Sequence, residues 1–489
     1  MRILLVNISR PTEIRIPQGL LYLASAICAN GHEAVIHDEA FSATQESSFK
    51  QILSYNADVI GLSVYTLPWQ LKRVEELSRA IKEACKNTLV IWGGWHPTLY
   101  PKHSILNNYV DVVIPGPGEK VVCELLDALK NRQPLKSVPG LVLKENGQII
   151  ETGPICMDPK YLYPPLNFRL IKLEAYLKRH DRGAGILQYI TTRGCNAHCR
   201  FCIMAHVYKG NMIQKPQDQV LSELKYLFKH YAITAIHFSD DNTFRNDCEA
   251  LQLSDVINDL TDGSGIPWRG ATRINTLSNL SANTYKKLTC SGCEGVVVGI
   301  ESGVDRVLRL MGKGINVSQI EKALEHLRAN GLRKNLFSFL FNFTGETRTE
   351  AAKTLQLVRK TRLLLPESII MLHVFFPGAS DNNTVPLDTL KVSLPPLSEI
   401  FEQYYVNHIR NYRIGRIPIN ILRYYLNASE QRKGKPTGKL KFLRKLHQKI
   451  IWLRIKYGIF ALPFEYHFSN IHIKKIKKLD QNLSISDNS

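Results

Sequence analysis

The sequence of 489 residues has no uninterrupted apolar run approaching the roughly 20 residues that a helix needs to cross a bilayer. It shows no N-terminal secretory signal, because the first seven residues already read as a strand-like pattern. The ten cysteines do not form a disulfide framework, since three cluster in one motif and the rest are scattered. These absences predict a cytoplasmic, globular protein.

Acidic residues are scarce towards the C-terminus. The net charge is +20, and residues 401–489 hold 18 Lys and Arg against 5 Asp and Glu. Residues 439–462 read as a basic amphipathic helix. Such a helix packs on the core with a solvated charged face, or contacts an anionic surface. That surface is a phosphorylated substrate or the inner face of the membrane, where the protein would be peripheral. Nucleic acid ranks last.

The first 150 residues alternate apolar strands with helices. Strands are predicted over residues 2–6, 34–38, 58–63, 89–92 and 110–114. Continuous apolar strands separated by helices indicate a doubly wound parallel sheet covered on both faces. Ligands of such sheets bind beyond the carboxyl ends of the strands, and those ends are rich here in Gly, Ser and Thr.

A second α/β series begins near residue 186, after a proline-broken linker over residues 151–183. Six strands alternating with helices predict a parallel partial barrel with polar groups at the carboxyl end of each strand. The predicted strands cover residues 186–190, 235–238, 268–273, 295–300, 337–341 and 369–376, with helices between them, for example 217–230 and 317–330.

Three cysteines follow the first strand of this series, at Cys195, Cys199 and Cys202. Three thiolates so spaced can bind three irons of a 4Fe–4S cluster and leave the fourth iron open. A structural zinc site is the alternative, with His198 or His206 as the fourth ligand. The separate pair Cys290 and Cys293 is interpreted as core cysteines, because no second pair accompanies it.

The stretch from Arg193 and Gly194 through the three cysteines, with Phe201 before the last, resembles the signature of radical S-adenosylmethionine (SAM) enzymes. The resemblance extends over roughly residues 190–380. It implies that the open iron chelates SAM and that Phe201 lies near the adenine. The other SAM contacts implied are Asp240, Asp241, Arg273, Glu301, Ser302, Gly345 and Glu346, with residues 376–378 framing the adenine.

Three stretches of the first 150 residues are similar to the cobalamin-binding domain that precedes many radical SAM cores. They are residues 17–24, the Gly-Gly-x-His-Pro-Thr stretch of residues 93–98, and residues 110–119, which read Val-Asp-x-Val followed by Gly-x-Gly-Glu. The Asp-x-His-x-x-Gly motif of other cobalamin proteins is absent, so no His from that motif would ligate the cobalt. The cobalamin contacts implied by the resemblance are Gly19, Ser63, Thr66, Gly93, Gly94, His96, Gly116, Gly118 and Glu119.

The predicted fold class is therefore α/β. A Rossmann-like cobalamin-binding domain (1–150) and a linker (151–183) precede a radical SAM partial (β/α)6 barrel (184–395) and a basic, mainly helical C-terminal region with a disordered tail (396–489). The implied cofactors are a 4Fe–4S cluster, SAM and cobalamin.

The resemblance implies methylation of an unactivated carbon of a small-molecule or lipid-linked metabolite, through a 5′-deoxyadenosyl radical and methylcobalamin. Flavodoxin or ferredoxin would donate electrons. Cyclisation or rearrangement without methyl transfer is the alternative. RNA modification is a remote one.

Overall fold

The computed structural model describes residues 1–12, 14–155, 157–180, 183–375, 413–414, 417–419, 422–423, 426 and 449–457; at 206, 413, 417 and 418 only the backbone is described. The predicted contact segment at 376–378, the end of the predicted core, most of the predicted basic helix and the predicted disordered tail lie outside these residues. The chain divides into two compact units. In the described part, the first unit comprises residues 1–272 and 281–293, and the second comprises 273–280, 294–375 and the residues from 413 onwards.

Seven strands form the sheet at the start of the first unit, in the order β2-β1-β3-β4-β5-β6-β7. The first five are parallel, whereas β5 with β6 and β6 with β7 pair antiparallel. The hairpin of β6 and β7 had no counterpart among the predicted strands. The strands are β1 (Arg2–Asn7), β2 (Glu33–Asp38), β3 (Val59–Ser63), β4 (Leu89–Gly93), β5 (Val112–Ile114), β6 (Val142–Glu145) and β7 (Gln148–Glu151).

The order of the parallel strands is that of a doubly wound sheet whose switch point lies between β1 and β3. Ile3, Leu4, Leu5 and Val6 of β1 are almost entirely buried, because helices cover both faces of the sheet. The helices of this part are α1 (Gln18–Ala29), α2 (Gln45–Ser54), α3 (Pro68–Ala84), α4 (Trp95–Leu99), α5 (Pro101–Ile105) and α6 (Glu119–Lys130).

The predicted linker has structure of its own. It contains the short helices α7 (Pro159–Leu162) and α8 (Leu173–Arg179) and a 3₁₀ turn, Phe168–Leu170. Leu162 and Tyr163 form a buried cluster with Tyr22 of α1. The proline-rich sequence therefore breaks long elements without preventing packing.

All six strands predicted for the second series are present. In the first unit, β11 pairs in parallel with β8 and β12. In the second unit, β14 pairs in parallel with β13 and β15. Cys293, at the start of β13, is buried as expected, but Cys290 is exposed, so that half of the interpretation was wrong. The strands are β8 (Ile186–Tyr189), β9 (Thr192–Gly194), β10 (Met212–Gln214), β11 (Ala235–Phe238), β12 (Trp268–Thr272), β13 (Cys293–Glu301), β14 (Leu336–Phe341) and β15 (Ile369–Val374).

Four of the helices that follow these strands, α11, α13, α15 and α16, begin at a side chain that caps them. Asn316 and Thr347 form capping boxes before α15 and α16. Within the described residues, no helix combines the length and the apolar character that crossing a bilayer would require. The helices are α9 (Ile203–Tyr208), α10 (Gln217–His230), α11 (Asp247–Leu260), α12 (Ile274–Leu277), α13 (Ala282–Cys290), α14 (Asp305–Leu310), α15 (Val317–Ala329) and α16 (Arg348–Leu364).

Candidate active site

A cavity of about 420 Å³ lies at the carboxyl ends of the parallel strands of the first sheet. The end of each of β1, β3, β4 and β5 contributes to its wall, as expected for a ligand site at the switch point. The cavity, called here the sheet-end cavity, is lined by seven of the residues implied by the resemblance: Gly19, Ser63, Gly93, Gly94, Gly116, Gly118 and Glu119.

Two glycines of the sheet-end cavity have different reasons to lack a side chain. Gly94 has a φ of +100°, and a Cβ there would lie 2.9 Å from the carbonyl oxygen of Val64, so the fold itself requires glycine. Gly19, at the start of α1, would meet no protein atom within 4 Å of an added Cβ. Gly19 is exposed and lines the cavity, so its bare backbone leaves open space, which suits close approach of a flat ligand such as a corrin.

Two of the implied cobalamin contacts, Thr66 and His96, are not among the residues that line the cavity. His96 is fully buried, and its ring lies 5.2 Å from that of Tyr100. Burial lowers the pKa of His96 to about 3, so the imidazole is neutral. The side chain of His96 therefore belongs to the packing of α4 and not to the cavity wall.

The cavity also has walls that sequence reasoning missed. Trp95 lines it directly after Gly93, the last residue of β4, and Gly94, and Tyr65 lines it after β3. Both follow strand ends, so their positions were signals that could have found them. Gln188, Ile190 and Ser239 line it from the second α/β series, and only the tertiary structure brings them there.

The three cysteines of the motif lie on one excursion of the chain, residues 195–211, which we call the cysteine loop. The antiparallel strands β9 and β10 form its base. Gly194 enters the loop with a φ of +82°, where a Cβ would come within 2.5 Å of the carbonyl oxygen of Asn211, so glycine is required for the two ends to meet. His198 packs its ring against Gly210 near the other end.

The thiols of the loop differ in exposure: Cys199 is 5% exposed, whereas Cys195 and Cys202 are half-buried. In the described part of the chain, no three Cys, His, Asp or Glu side chains are gathered around a single metal position. A zinc ion needs such convergence. Cluster ligands do not, because each thiolate binds a different iron. Three thiolates suit the three ligated irons of a 4Fe–4S cluster, and the side chain of His206, one of the two candidate fourth zinc ligands, lies outside the described residues.

Asp240 and Asp241 follow β11, and their carboxylates accept hydrogen bonds from the residues that precede the cysteine loop. Asp240 accepts hydrogen bonds from the amide of Thr191 (2.6 Å), the hydroxyl of Thr191 (2.8 Å) and the amide of Thr192 (2.9 Å). Asp241 accepts one from the amide of Gly194 at 2.9 Å. Burial raises the pKa of Asp240 to about 6, against the opposing effect of these donors.

An ion pair joins the sheet-end cavity to the cysteine loop. Arg193 of β9 donates to the carboxylate of Glu119, the first residue of α6. The guanidinium of Arg193 lies 4.4 Å from the ring centre of Tyr22 and 5.8 Å from that of Tyr163, at cation–π distances. Both ionic groups are buried.

Lys215 extends this charged layer just beyond β10. Its side chain is fully buried, and its ammonium lies 2.8 Å from Glu223 and 3.0 Å from the hydroxyl of Tyr189. The rings of Tyr22 and Tyr189 lie 5.1 Å and 4.5 Å from it. Burial lowers the pKa of Lys215, and Glu223 counteracts that change.

In the second unit, three of the residues implied as SAM contacts lie in a polar group beside β13. Glu301, with a φ of +69°, is buried and pairs with Lys313 at 3.1 Å. Arg273 donates to the carbonyl oxygen of Lys313. The fully buried Ser302 exchanges a hydrogen bond with Thr354 at 3.1 Å.

Gly345 and Glu346 follow β14 in the same unit. Glu346 accepts a hydrogen bond from the amide of Asn342 at 2.6 Å through one oxygen, and its other oxygen is buried without a hydrogen-bond partner in the described structure. Burial raises the pKa of Glu346 to about 7. Phe201, implied to lie near the adenine, is half-buried in the first unit.

Residues 189–358 match the model of the radical SAM superfamily, and residues 5–126 match that of the B12 binding domain. An uncharacterized methyltransferase of Pyrococcus horikoshii is 31% identical over 347 residues, covering 70% of this chain and 73% of the relative. The anaerobic magnesium-protoporphyrin IX monomethyl ester cyclase of Synechocystis is 24% identical over 410 residues, which cover 80% of this chain and 80% of the cyclase.

Two solved structures share the fold. The radical SAM methyltransferase TsrM from Kitasatospora setae, with cobalamin and a 4Fe–4S cluster bound, superposes with a TM-score of 0.63 at 16% identity, over 76% of this chain and 72% of TsrM. OxsB, a cobalamin-dependent SAM radical enzyme with aqua-cobalamin and SAM bound, gives 0.64 at 18% identity, over 83% of this chain and 55% of OxsB.

The fold and these sequence matches define an α/β enzyme of the radical SAM superfamily, with a partial barrel of parallel strands. More particularly, the chain belongs to the radical SAM enzymes that carry an N-terminal cobalamin-binding domain, the family of cobalamin-dependent methyltransferases. Its cofactors are a 4Fe–4S cluster, SAM and cobalamin.

Proposed function

We propose that this enzyme transfers a methyl group to an unactivated carbon of a small-molecule or lipid-linked metabolite. The observation that carries the proposal is the pairing of the sheet-end cavity with the cysteine loop in one compact unit. When bound, the cluster supplies the electron for cleavage of SAM and cobalamin supplies the methyl carrier. Methyltransferases among the relatives, such as the cytidylyl-2-hydroxyethylphosphonate methyltransferase of Streptomyces wedmorensis, support this reaction class.

The chain's own residues have three roles in this proposal. Cys195, Cys199 and Cys202 would provide the thiolates for the cluster. The glycines and Glu119 of the sheet-end cavity would hold the corrin, with the bare backbone at Gly19 allowing close approach. The residues proposed for the SAM site are Phe201, Asp240, Asp241, Arg273, Glu301, Ser302, Gly345 and Glu346, of which Asp240 would support the site without contacting SAM. The domain limits given above are part of the proposal.

The assigned roles of the charged contacts follow from their hydrogen bonds. Asp240 accepts three hydrogen bonds from Thr191 and Thr192, so it would act by fixing the strand that enters the cysteine loop. Asp241 is exposed and accepts one of the described hydrogen bonds, which leaves carboxylate capacity for the SAM ammonium. Glu301 would contact SAM as an ion pair with Lys313.

The test is anaerobic reconstitution with iron, sulfide and cobalamin, followed by SAM, reductant and an extract of the source cell. Both 5′-deoxyadenosine and S-adenosylhomocysteine are expected, the second only with cobalamin. Cys199→Ala should lose iron and both products, whereas Cys290→Ala, at an exposed cysteine outside the motif, should keep them. Protein that holds its cluster but forms neither product would contradict the assignment.

Ring formation or rearrangement without methyl transfer is the second candidate, and the similarity to the Synechocystis cyclase favours it. It would give 5′-deoxyadenosine without cobalamin-dependent S-adenosylhomocysteine. The same product analysis therefore separates the two reactions. Flavodoxin or ferredoxin is the proposed electron donor, to be tested by replacing the chemical reductant.

We also propose a cytoplasmic enzyme that contacts an anionic membrane surface through residues 439–462. In the described part of that segment, Trp452 and Tyr457 are about half exposed, and Lys456 lies 5.1 Å and 5.4 Å from their ring centres. Exposed aromatic rings beside cations suit a membrane interface. Co-sedimentation with phosphatidylserine vesicles should fall for Trp452→Ser and persist for Lys50→Ser, and unchanged binding in Trp452→Ser would refute the contact.

A further inference from the structure

Glu119 lies between the sheet-end cavity and Arg193. It begins α6 immediately after Gly118, lines the sheet-end cavity and is only 5% exposed. One carboxylate oxygen accepts from Arg193, and the other, Oε2, is buried with no hydrogen-bond partner in the described structure. A buried oxygen without a hydrogen-bond partner destabilises the apoprotein. Glu119 lines the cavity, so a small rotation of its carboxylate would bring Oε2 to an N–H group of a ligand there, and the rim of cobalamin is rich in carboxamides.

Arg193 lies close to both ends of the cysteine loop. It lies in β9, two residues before Cys195, and its positive charge opposes the burial that raises the pKa of Tyr208, the last residue of the helix that follows Cys202. The rings of Tyr22 and Tyr163 lie against the guanidinium. The guanidinium of Arg193 therefore links Glu119 to the cysteine loop. A movement of the loop either shifts this guanidinium or is opposed by its ion pair with Glu119.

We infer that the Glu119–Arg193 pair couples the sheet-end cavity to the cysteine loop, so that cobalamin and the iron–sulfur cluster bind with positive cooperativity. This inference rests on the proposed function, in which the loop holds the cluster. Satisfying Oε2 with a corrin amide holds the Glu119 side chain in the position that pairs with Arg193, and this restrains the loop. Cluster ligation restrains the loop from the other side, and the coupling is reciprocal because it is a property of one equilibrium.

The experiment measures the dissociation constant of hydroxocobalamin by fluorescence quenching, in the full chain with and without its reconstituted cluster. The wild-type protein should bind hydroxocobalamin at least about fivefold more tightly when the cluster is present. Glu119→Gln keeps the size of the side chain but removes its charge, and Arg193→Gln removes the partner without altering the cavity lining. Both variants should bring the ratio of the two dissociation constants close to one.

The matched control is Glu39→Gln. Glu39 pairs with Arg73, and the two side chains are 8% and 12% exposed, similar to the 6% and 10% of Glu119 and Arg193. Neither Glu39 nor Arg73 is among the residues that line the sheet-end cavity. Glu39→Gln should therefore lower stability while keeping the wild-type ratio, which separates coupling from a general loss of stability.

A second measurement uses the wild-type protein alone. Hydrogen exchange of the amides of residues 195–211 should slow when hydroxocobalamin is added to cluster-free protein. Unchanged exchange, a wild-type ratio of one, or a wild-type ratio retained in both charge variants would overturn the coupling. Protein that never holds a cluster would instead count against the proposed function, so the two failures are distinguishable.

Discussion

The carboxylate of Asp240 accepts two hydrogen bonds from Thr191, one from its amide at 2.6 Å and one from its hydroxyl at 2.8 Å. This relationship fixes the strand that enters the cysteine loop. Asp241, the next residue, is exposed and binds only Gly194 among the described hydrogen bonds. Two adjacent carboxylates, equivalent in the sequence, therefore have different surroundings.

Replacement of Asp240 should be a stability change. Asp240→Ala leaves two buried amides and a hydroxyl without their acceptor, so the free energy of unfolding should fall by at least about 2 kcal/mol. Asp241→Ala loses one hydrogen bond at an exposed site, so the fall should be about 1 kcal/mol or less. Urea unfolding of both variants measures the difference. Equal losses would mean that the Thr191 contacts do not stabilise the fold.

Replacement of Gly19 should separate stability from cofactor binding. Gly19→Ala places a methyl group where no protein atom lies within 4 Å, so the apoprotein should be unchanged or more stable by up to about 1 kcal/mol. The same methyl group projects into the space proposed for the corrin, so affinity for hydroxocobalamin should fall at least about tenfold, which is 1.4 kcal/mol. Thermal unfolding and a binding titration check the two results.

Gly94→Ala is the comparison for that experiment. Its φ of +100° and its approach to Val64 make alanine strained, so the apoprotein should lose about 2 kcal/mol of stability. If the Gly19→Ala protein binds hydroxocobalamin as tightly as the wild type, the corrin does not approach α1 at Gly19.

Removal of the buried Lys215 ammonium should be costly. Lys215→Met leaves the carboxylate of Glu223 without its cation, and breaking a buried pair in this way costs about 3–5 kcal/mol. Adding Glu223→Gln should recover part of the loss. Lys50→Met breaks a pair whose side chains are 73% and 76% exposed, so it should change stability by less than about 0.5 kcal/mol. Similar results for the two lysines, from denaturant unfolding, would disprove the special role of the buried site.

Glu346 should make stability decrease with rising pH. Burial raises its pKa from 4.5 to about 7, so the folded protein holds a proton that the unfolded chain has released between those values. The contribution of Glu346 to stability is present below pH 4.5 and is lost as pH rises through 7. Glu346→Gln should therefore flatten this part of the curve when unfolding is followed from pH 4 to 8.

Glu350 is the control of opposite sign. Hydrogen bonds from Arg306 lower its pKa from 4.5 to about 2, so its contribution is present above pH 4.5 and is lost as pH falls towards 2. Glu350→Gln should act mainly below pH 4.5, and it should change the slope between pH 5 and 7 less than Glu346→Gln does, because the Glu350 charge contributes less than burial to the raised pKa of Glu346. If Glu346→Gln leaves that slope unchanged, the carboxyl group of Glu346 is solvated in the folded protein.

Sequence patterns were sufficient wherever an element is defined by its own residues. The apolar runs predicted the five parallel strands of the first sheet, because a strand covered on both faces needs apolar residues at successive positions. The hairpin of β6 and β7 was missed because its residues are largely exposed and mixed in polarity. The prolines of residues 151–183 predicted a linker, and only packing against Tyr22 shows that part of it is buried.

The sequence by itself determined the class of this protein, because the cysteine spacing and the glycine-rich strand ends are local properties of the chain. It could not determine which polar residue faces a ligand and which supports the fold. His96 and Asp240 belong to the same motifs as Gly94 and Asp241, yet their side chains are buried against other elements. Only the tertiary structure showed which of these side chains support the fold. It also paired Glu119 with Arg193, 74 residues apart. The physical reason is that a charge can be buried only beside the neighbours that folding supplies.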